Sequence, residues 1–238
     1  MVVDASPLLA YVRRARDETG TPVTVTHVVG KAVATAIERE PSFHHRILFG
    51  RPVRYPSYDI GFAVDLDAGD DLAPSKVQHV DRLSVVDVAR LLGDGAERLR
   101  GKQDRDFEAS SRLVRRLPWF TLRALGATAS LLNGGLGRRA FGQPGFPLGC
   151  AFVSNVGTFG LDEGFLAPVP FARVPLYVLV GRVHDAAAVV DGQLTVRPTL
   201  VLTATADHRV VDGAQAGRFA AVLKDLLARP EDLRPSSW

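Results

Sequence analysis

Apolar positions recur at helical spacing in the first fifty residues. Asp4-Ala5-Ser6-Pro7 precedes Leu8, Leu9, Val12 and Ala15, which predicts a helix capped by Ser6, with Pro7 in its first turn and Gly20 at its end. A second helix is predicted from about Thr26, with Val28, Val29, Ala32, Val33, Ala36 and Ile37 inward and Pro41 as its stop. The period then shortens. Arg51 to Pro56 is a turn-bounded extended piece, and Tyr58 to Asp65 alternates with Ile60, Phe62 and Val64 on one side. Gly69-Asp70-Asp71 breaks that pattern before another short strand from Leu72 to His79. Ser84 then caps a helix to about Arg100, with Val85, Val88, Leu91 and Leu92 inward.

The last ninety residues are rich in strand pattern. Strands are predicted at Cys150–Val156, Val174–Val183 and Leu194–Ala206, the last with Leu200, Leu202, Ala204 and Ala206 alternating. Asp191-Gly192 reads as a hairpin turn between the latter two. A closing helix starts at Asp212-Gly213 and buries Phe219, Val222, Leu223, Leu226 and Leu227. Between these halves, Gly101 to Glu108 is charged, and Arg112 to Arg139 reads as one or two amphipathic helices, Pro118 opening the second. Gly134, Gly135 and Gly137 end them. The pattern is α+β, a mixed sheet covered by helices, in a single domain over residues 1–238.

Composition adds limits. At 238 residues with 46% hydrophobic and 23% charged, the chain can bury a full core without staples. Cys150 is the single cysteine, so no internal disulfide and no cysteine-rich zinc site can form. No His-x-x-x-His or similar ligand spacing occurs, and His27, His44, His45 and His79 are not expected to bind metal. No run approaches a membrane span, and Met1 to Arg14 lacks the layout of a secretory signal, so the expected location is the cytoplasm.

Charge is uneven. Net charge is +3, yet residues 109–160 hold no acid and carry Arg112, Arg115, Arg116, Arg123, Arg138 and Arg139. Such a stretch fits a solvated helix face, or a surface for an anionic partner. Nucleic-acid binding is not indicated: no such motif is present and aromatics do not interleave with the basic residues.

The candidate chemistry lies in Thr203 to Ala214. His208 follows a buried strand and precedes a helix, with Asp207, Arg209 and Asp212 around it and Gly213 available for a tight turn. A lone histidine there is more often structural; three charged neighbours weaken that reading, because charges do not sit in a dry core unpaired.

The string Asp207-His208-Arg209-Val210-Val211-Asp212-Gly213-Ala214 resembles the dihydrolipoamide acyltransferase component of 2-oxo-acid dehydrogenase complexes, within the chloramphenicol-acetyltransferase-like superfamily. Three more segments resemble that family in the same order. They are Thr26 to Ile37 followed by Glu40-Pro41, then Tyr58 to Asp65, then Phe152 to Gly160 with its Ser154-Asn155-Val156-Gly157. The resemblance covers 4–100 and 148–232. Residues 101–147 stand out as an enlarged helical insertion, expected to pack on the core or extend it.

The resemblance implies an acyltransferase moving an acyl group between coenzyme A and a dihydrolipoyl-type acceptor, with no metal. His208 would be the general base and Ser154 the oxyanion donor, meeting across a subunit boundary. Asp212 would accompany them, holding the loop through an ion pair or capping the final helix. Gly213, Arg209, Asn155 and Gly157 would be structural parts of the motifs. A homotrimer is implied, or a larger cage of trimers, with lipoyl-bearing and dehydrogenase subunits as separate partners. The lipoyl group would not be on this chain, since neither a lipoyl nor a peripheral-subunit-binding domain precedes the core.

The family's leading basic helix and first strand are expected to be missing, with Arg209 or Arg13 as substitute partners for Asp212. Asp71-Leu72-Ala73-Pro74-Ser75-Lys76 is a degenerate version of a family string near the substrate channel. Two other readings stay open: a catalytically weak scaffold, and coenzyme A-dependent acylation of a small hydroxyl or amine compound.

Overall fold

A computed structural model of the chain describes residues 1–66, 72–101, 118–190 and 192–233. The expected break at residues 69–71, the charged run 102–108, the arginines 112, 115 and 116, and Asp191 lie outside them.

Helices form where the apolar stripe is long. They are α1 (Ser6–Thr19), α2 (Val25–Arg39), α3 (Val85–Arg100), α4 (Trp119–Ala129) and α5 (Gly213–Ala228). Ser84 caps α3 as expected: its Oγ accepts from Asp87 N–H at 3.1 Å, and Asp87 reaches back to Ser84 N–H at 3.1 Å. Ser6 does not cap α1. It is already helical, and its N–H donates to Asp4 Oδ1 at 2.8 Å.

The strands are β1 (Val2–Asp4), β2 (His45–Leu48), β3 (Arg51–Arg54), β4 (Ile60–Asp65), β5 (Leu72–Val77), β6 (Ala151–Asn155), β7 (Leu176–Val180), β8 (His184–Val190) and β9 (Gln193–Ala206). The seven-stranded sheet runs β1-β9-β7-β6-β4-β5, with β8 also on β9. β4, β6 and β7 are mutually parallel; β5 and β9 run against them. β2 and β3 form a separate hairpin. Helices α1, α2, α3 and α5 cover one face, where Leu8, Val33, Ile60, Phe62, Val88, Val178 and Leu223 share the main core. The opposite face has a smaller cluster of Leu148, Ala172, Val174 and Tyr177.

Two expectations are corrected. Strand β1 exists, pairing Val2 with Val201 and Asp4 with Thr199, in a region the sequence pattern makes wholly helical. The strand expected over Val174–Val183 forms only at Leu176–Val180. At its end Arg182 N–H donates to Leu161 O at 2.8 Å instead of continuing the β9 ladder, and β8 rejoins β9 farther along. The hairpin turn is therefore between β8 and β9, where Val190 pairs with Gln193 and Gly192 takes φ 79°.

The described part of the insertion packs on the core. Helix α4, whose N-cap is Pro118, continues into a π-helical stretch at Ser130–Gly135. Arg46, itself buried, donates to Gly135 O at 2.9 Å and lies over the Tyr55 and Phe146 rings. Asn133 is 1% exposed, and its Nδ2 bonds the carbonyls of Arg138, Ala140 and Gln143 at 2.9 to 3.2 Å. Gly134 passes so close to the loop before β7 that an added Cβ would sit 2.6 Å from Phe171 O. Burial of the insertion's apolar positions is incomplete in the single chain. Phe120 is 67% exposed, and Leu122, Leu125, Leu131 and Leu132 are only half-buried. Leu113, Val114 and Leu117 lie outside the described residues. No helix among the described residues is long and apolar enough to cross a membrane.

Candidate active site

Strand β9 ends at Ala206, and the chain turns at once. Asp207 N–H donates to Pro175 O at 2.9 Å, and Asp207 O accepts from Val210 and Val211 N–H at 2.9 and 3.2 Å. Buried Val211 anchors the far side of this turn. His208 stands at its tip with an exposed side chain. It lines a cleft of about 500 Å³ together with Ser130, Val169, Arg173, Tyr177 and Arg209. Arg209 does not pair with Asp212. Its guanidinium forks onto Asp207, Nε to Oδ1 at 2.9 Å and Nη2 to Oδ2 at 2.6 Å, and this holds the Asp207 carboxyl below its ordinary range.

Asp212 caps α5. Its Oδ1 accepts from Gln215 N–H at 2.8 Å, and Gln215 Oε1 accepts from Asp212 N–H at 2.7 Å. Of the two structural roles expected for it, the cap is the one seen; among the described residues Asp212 makes no salt bridge. Gly213 opens the helix without a positive φ, and a Cβ there would meet nothing within 4 Å, so the tight turn expected of it is not made.

Ser154 lies near the C-terminal end of β6 and is 8% exposed. Its hydroxyl makes no hydrogen bond among the described residues, so it is not spent on the backbone as a buried strand serine usually is. It lines a second cleft, of about 470 Å³, with Thr26, His27, Ala63, Arg100, Asn155 and Thr158. Asn155 fixes the strand end. Its Nδ2 donates to Thr26 Oγ1 at 2.8 Å, and its Oδ1 accepts from Gly157 N–H at 2.8 Å. Gly157 must be glycine for space, since a Cβ there would be 2.7 Å from Gly181 O and Arg182 Cα.

His208 and Ser154 do not meet within one chain. Ser154 is level with Leu179 on β7, which is level with Thr203 on β9. His208 lies beyond the end of β9, at the other end of the sheet. Three strand residues along and two strands across separate the Ser154 level from Ala206 by about 14 Å before the chain even reaches His208.

The sequence pattern gave no sign that His27, Ser130 or Arg173 would line these clefts. His27 Nδ1 accepts from Thr24 N–H at 3.0 Å, so the ring is neutral with its proton on Nε2. Burial, and secondarily Arg16, pull its pKa from 6.5 down to about 4. As pH falls, the unfolded chain therefore takes this proton first. The stabilisation is complete above about pH 6.5 and is lost between there and pH 4, roughly 3 kcal/mol in all. His27→Gln, which keeps an acceptor for Thr24, is expected to flatten that acid loss in urea melts run from pH 7 to pH 4. Parallel losses in the two proteins would show that His27 is not the group responsible.

The 2-oxoacid dehydrogenases acyltransferase (catalytic domain) family model matches residues 1–110 and 146–234. The curated relatives include the dihydrolipoyllysine-residue acetyltransferase component of the acetoin cleaving system of Bacillus subtilis, 26% identical over 92% of this chain and 45% of that protein. The chain thus spans about half the length of the curated relatives it matches. Among solved structures, the cubic core of the pyruvate dehydrogenase multienzyme complex superposes with a TM-score of 0.70 at 24% identity, over 98% of this chain and 81% of that one. A dihydrolipoamide acetyltransferase of Azotobacter vinelandii superposes equally well, with the same TM-score, identity and coverage; a serine, a histidine and an asparagine have been investigated in its catalytic mechanism. These solved structures share the fold of β1 to β9 and its helices. With the family model matching well over half of the chain, His208 and Ser154 included, the chain belongs to the 2-oxoacid dehydrogenases acyltransferase (catalytic domain) family.

Proposed function

We propose that this chain transfers an acyl group between the thiol of coenzyme A and a dihydrolipoyl-type thiol, at a site completed by two copies of the chain. The observation that carries this reading is that His208 and Ser154 both fall within the family-matched residues yet line separate clefts at opposite ends of the sheet. The His208 imidazole takes the proton of the attacking thiol. The thiolate sulfur adds to the thioester carbon, and the oxygen of the tetrahedral intermediate accepts a hydrogen bond from Ser154 of the neighbouring copy. Collapse breaks the original carbon–sulfur bond, and the departing thiolate recovers the proton from the imidazolium. Asp212 holds the loop by capping α5, and Asn155 and Gly157 set the end of β6.

In this reading the copies close into a ring about a threefold axis, and such trimers can build a larger cage like the cubic core this chain resembles. The acceptor is a lipoyl-type arm, and dehydrogenase subunits are the partners. No metal takes part, and the reaction runs in the cytoplasm. The insertion 101–147 is an added element of the single domain. The purified protein is expected to have the mass of a trimer, or of a multiple of it, and to form acyl-dihydrolipoamide from acyl-coenzyme A. A monomer by light scattering that still turns over would sink the shared site.

A further inference from the structure

We propose that Arg173, clamped by the inserted segment, binds an anionic group of the substrate at the His208 cleft; this rests on the transfer reading above. Two arginines line that cleft with His208. Arg209 is matched by the Asp207 carboxylate, fork to fork. Arg173 has no carboxylate partner among the described residues. Its Nε donates to Ser130 O and Ser130 Oγ, both at 3.0 Å, and its Nη1 to Ile47 O at 2.7 Å. These neutral oxygens orient the guanidinium and leave its charge unmatched. Its Nη2 makes no hydrogen bond among the described residues.

The residue is also held where the chain resists going: Arg173 has a left-handed φ of 55°. Two of these three bonds come from the insertion. Ser130 belongs to the 111–145 segment that the family model leaves out, while Arg173 lies inside the matched part. The insertion therefore adds a wall to a cleft otherwise lined by family-matched residues, and that wall positions a cation beside the proposed base. Guanidinium suits planar, oxygen-rich anions, either a carboxylate on the acyl group or a phosphate of coenzyme A.

Calorimetric titration of wild type, Arg173→Gln and Ser130→Asp tests this with acetyl-coenzyme A, succinyl-coenzyme A and 3′-dephospho-acetyl-coenzyme A as probes. Ser130→Asp keeps the backbone clamp and places a carboxylate on the guanidinium, so it serves even if Arg173→Gln fails to fold. Loss of one charge-assisted contact is expected to weaken binding about 10-fold or more. A loss confined to succinyl-coenzyme A identifies the acyl carboxylate. A loss on both intact coenzyme A esters but not on the dephospho compound identifies the 3′-phosphate. An equal loss on all three identifies the pyrophosphate. Affinities within twofold of wild type for all three ligands overturn the inference and leave the transfer reading standing. Wild type that binds none of them overturns both.

Discussion

His208→Ala is expected to slow acyl transfer by about 10²–10⁴-fold while leaving the fold and the assembly intact. The fold should survive because the side chain is exposed at the tip of a turn that backbone bonds from Asp207 and buried Val211 hold in place. The rate should fall because a free thiol has a pKa of about 8.5 and is mostly protonated at neutral pH. Without a base the enzyme must wait for the small thiolate fraction. The variant therefore has a signature that mere damage would not produce: its rate should climb steeply with pH up to the thiol pKa, closing part of the gap to wild type. Steady-state transfer to dihydrolipoamide from pH 6 to pH 9 measures this. A variant as fast as wild type at pH 7 would remove His208 from the mechanism.

The long amphipathic elements were legible because their signal is local. Helices α2, α3 and α5 each show an apolar stripe over several turns, and β4 and β9 carry apolar residues at every second position, Ile60, Phe62 and Val64 in one and Leu200, Leu202, Ala204 and Ala206 in the other. What the pattern missed depends on distant partners. Strand β1 has three residues and owes its existence to β9, nearly two hundred residues later. The break between β7 and β8 is invisible in the apolar run Val174–Val183, because it arises where Arg182 bonds Leu161 across a loop.

The site divides in the same way. His208, Ser154, Asn155, Gly157 and Asp212 sit in short contiguous strings whose order along the chain carries information. Arg173 lies in a proline-rich loop and is positioned by residues 43 and 126 places away. Nothing near it in sequence marks it. The place of His27 in the Ser154 cleft follows only from the docking of α2 on the sheet.

Ser154→Ala is expected to cost about 10²–10³-fold by removing one preorganised donor to the oxyanion. Stability should change little, because among the described residues the hydroxyl makes no bond that its loss would break. The same pair of variants tests where the site is built. Neither His208→Ala nor Ser154→Ala alone retains a complete site in any geometry. If the site lay within one chain, a mixture of the two would stay inactive, since every chain lacks one group. If His208 of one copy faces Ser154 of the next around a ring, some interfaces in a mixed ring bring together the intact histidine of one variant and the intact serine of the other. Random assortment makes roughly a quarter of interfaces complete in a closed cyclic assembly. Co-expressing the two variants, or dissociating and reassembling them together, should thus restore activity to about a quarter of wild type. The recovery should depend on mixing before assembly and disappear when separately assembled proteins are combined without exchange. A co-assembled mixture no more active than its components would place both groups in one chain, or one of them outside the chemistry, and the two-copy site would have to be abandoned.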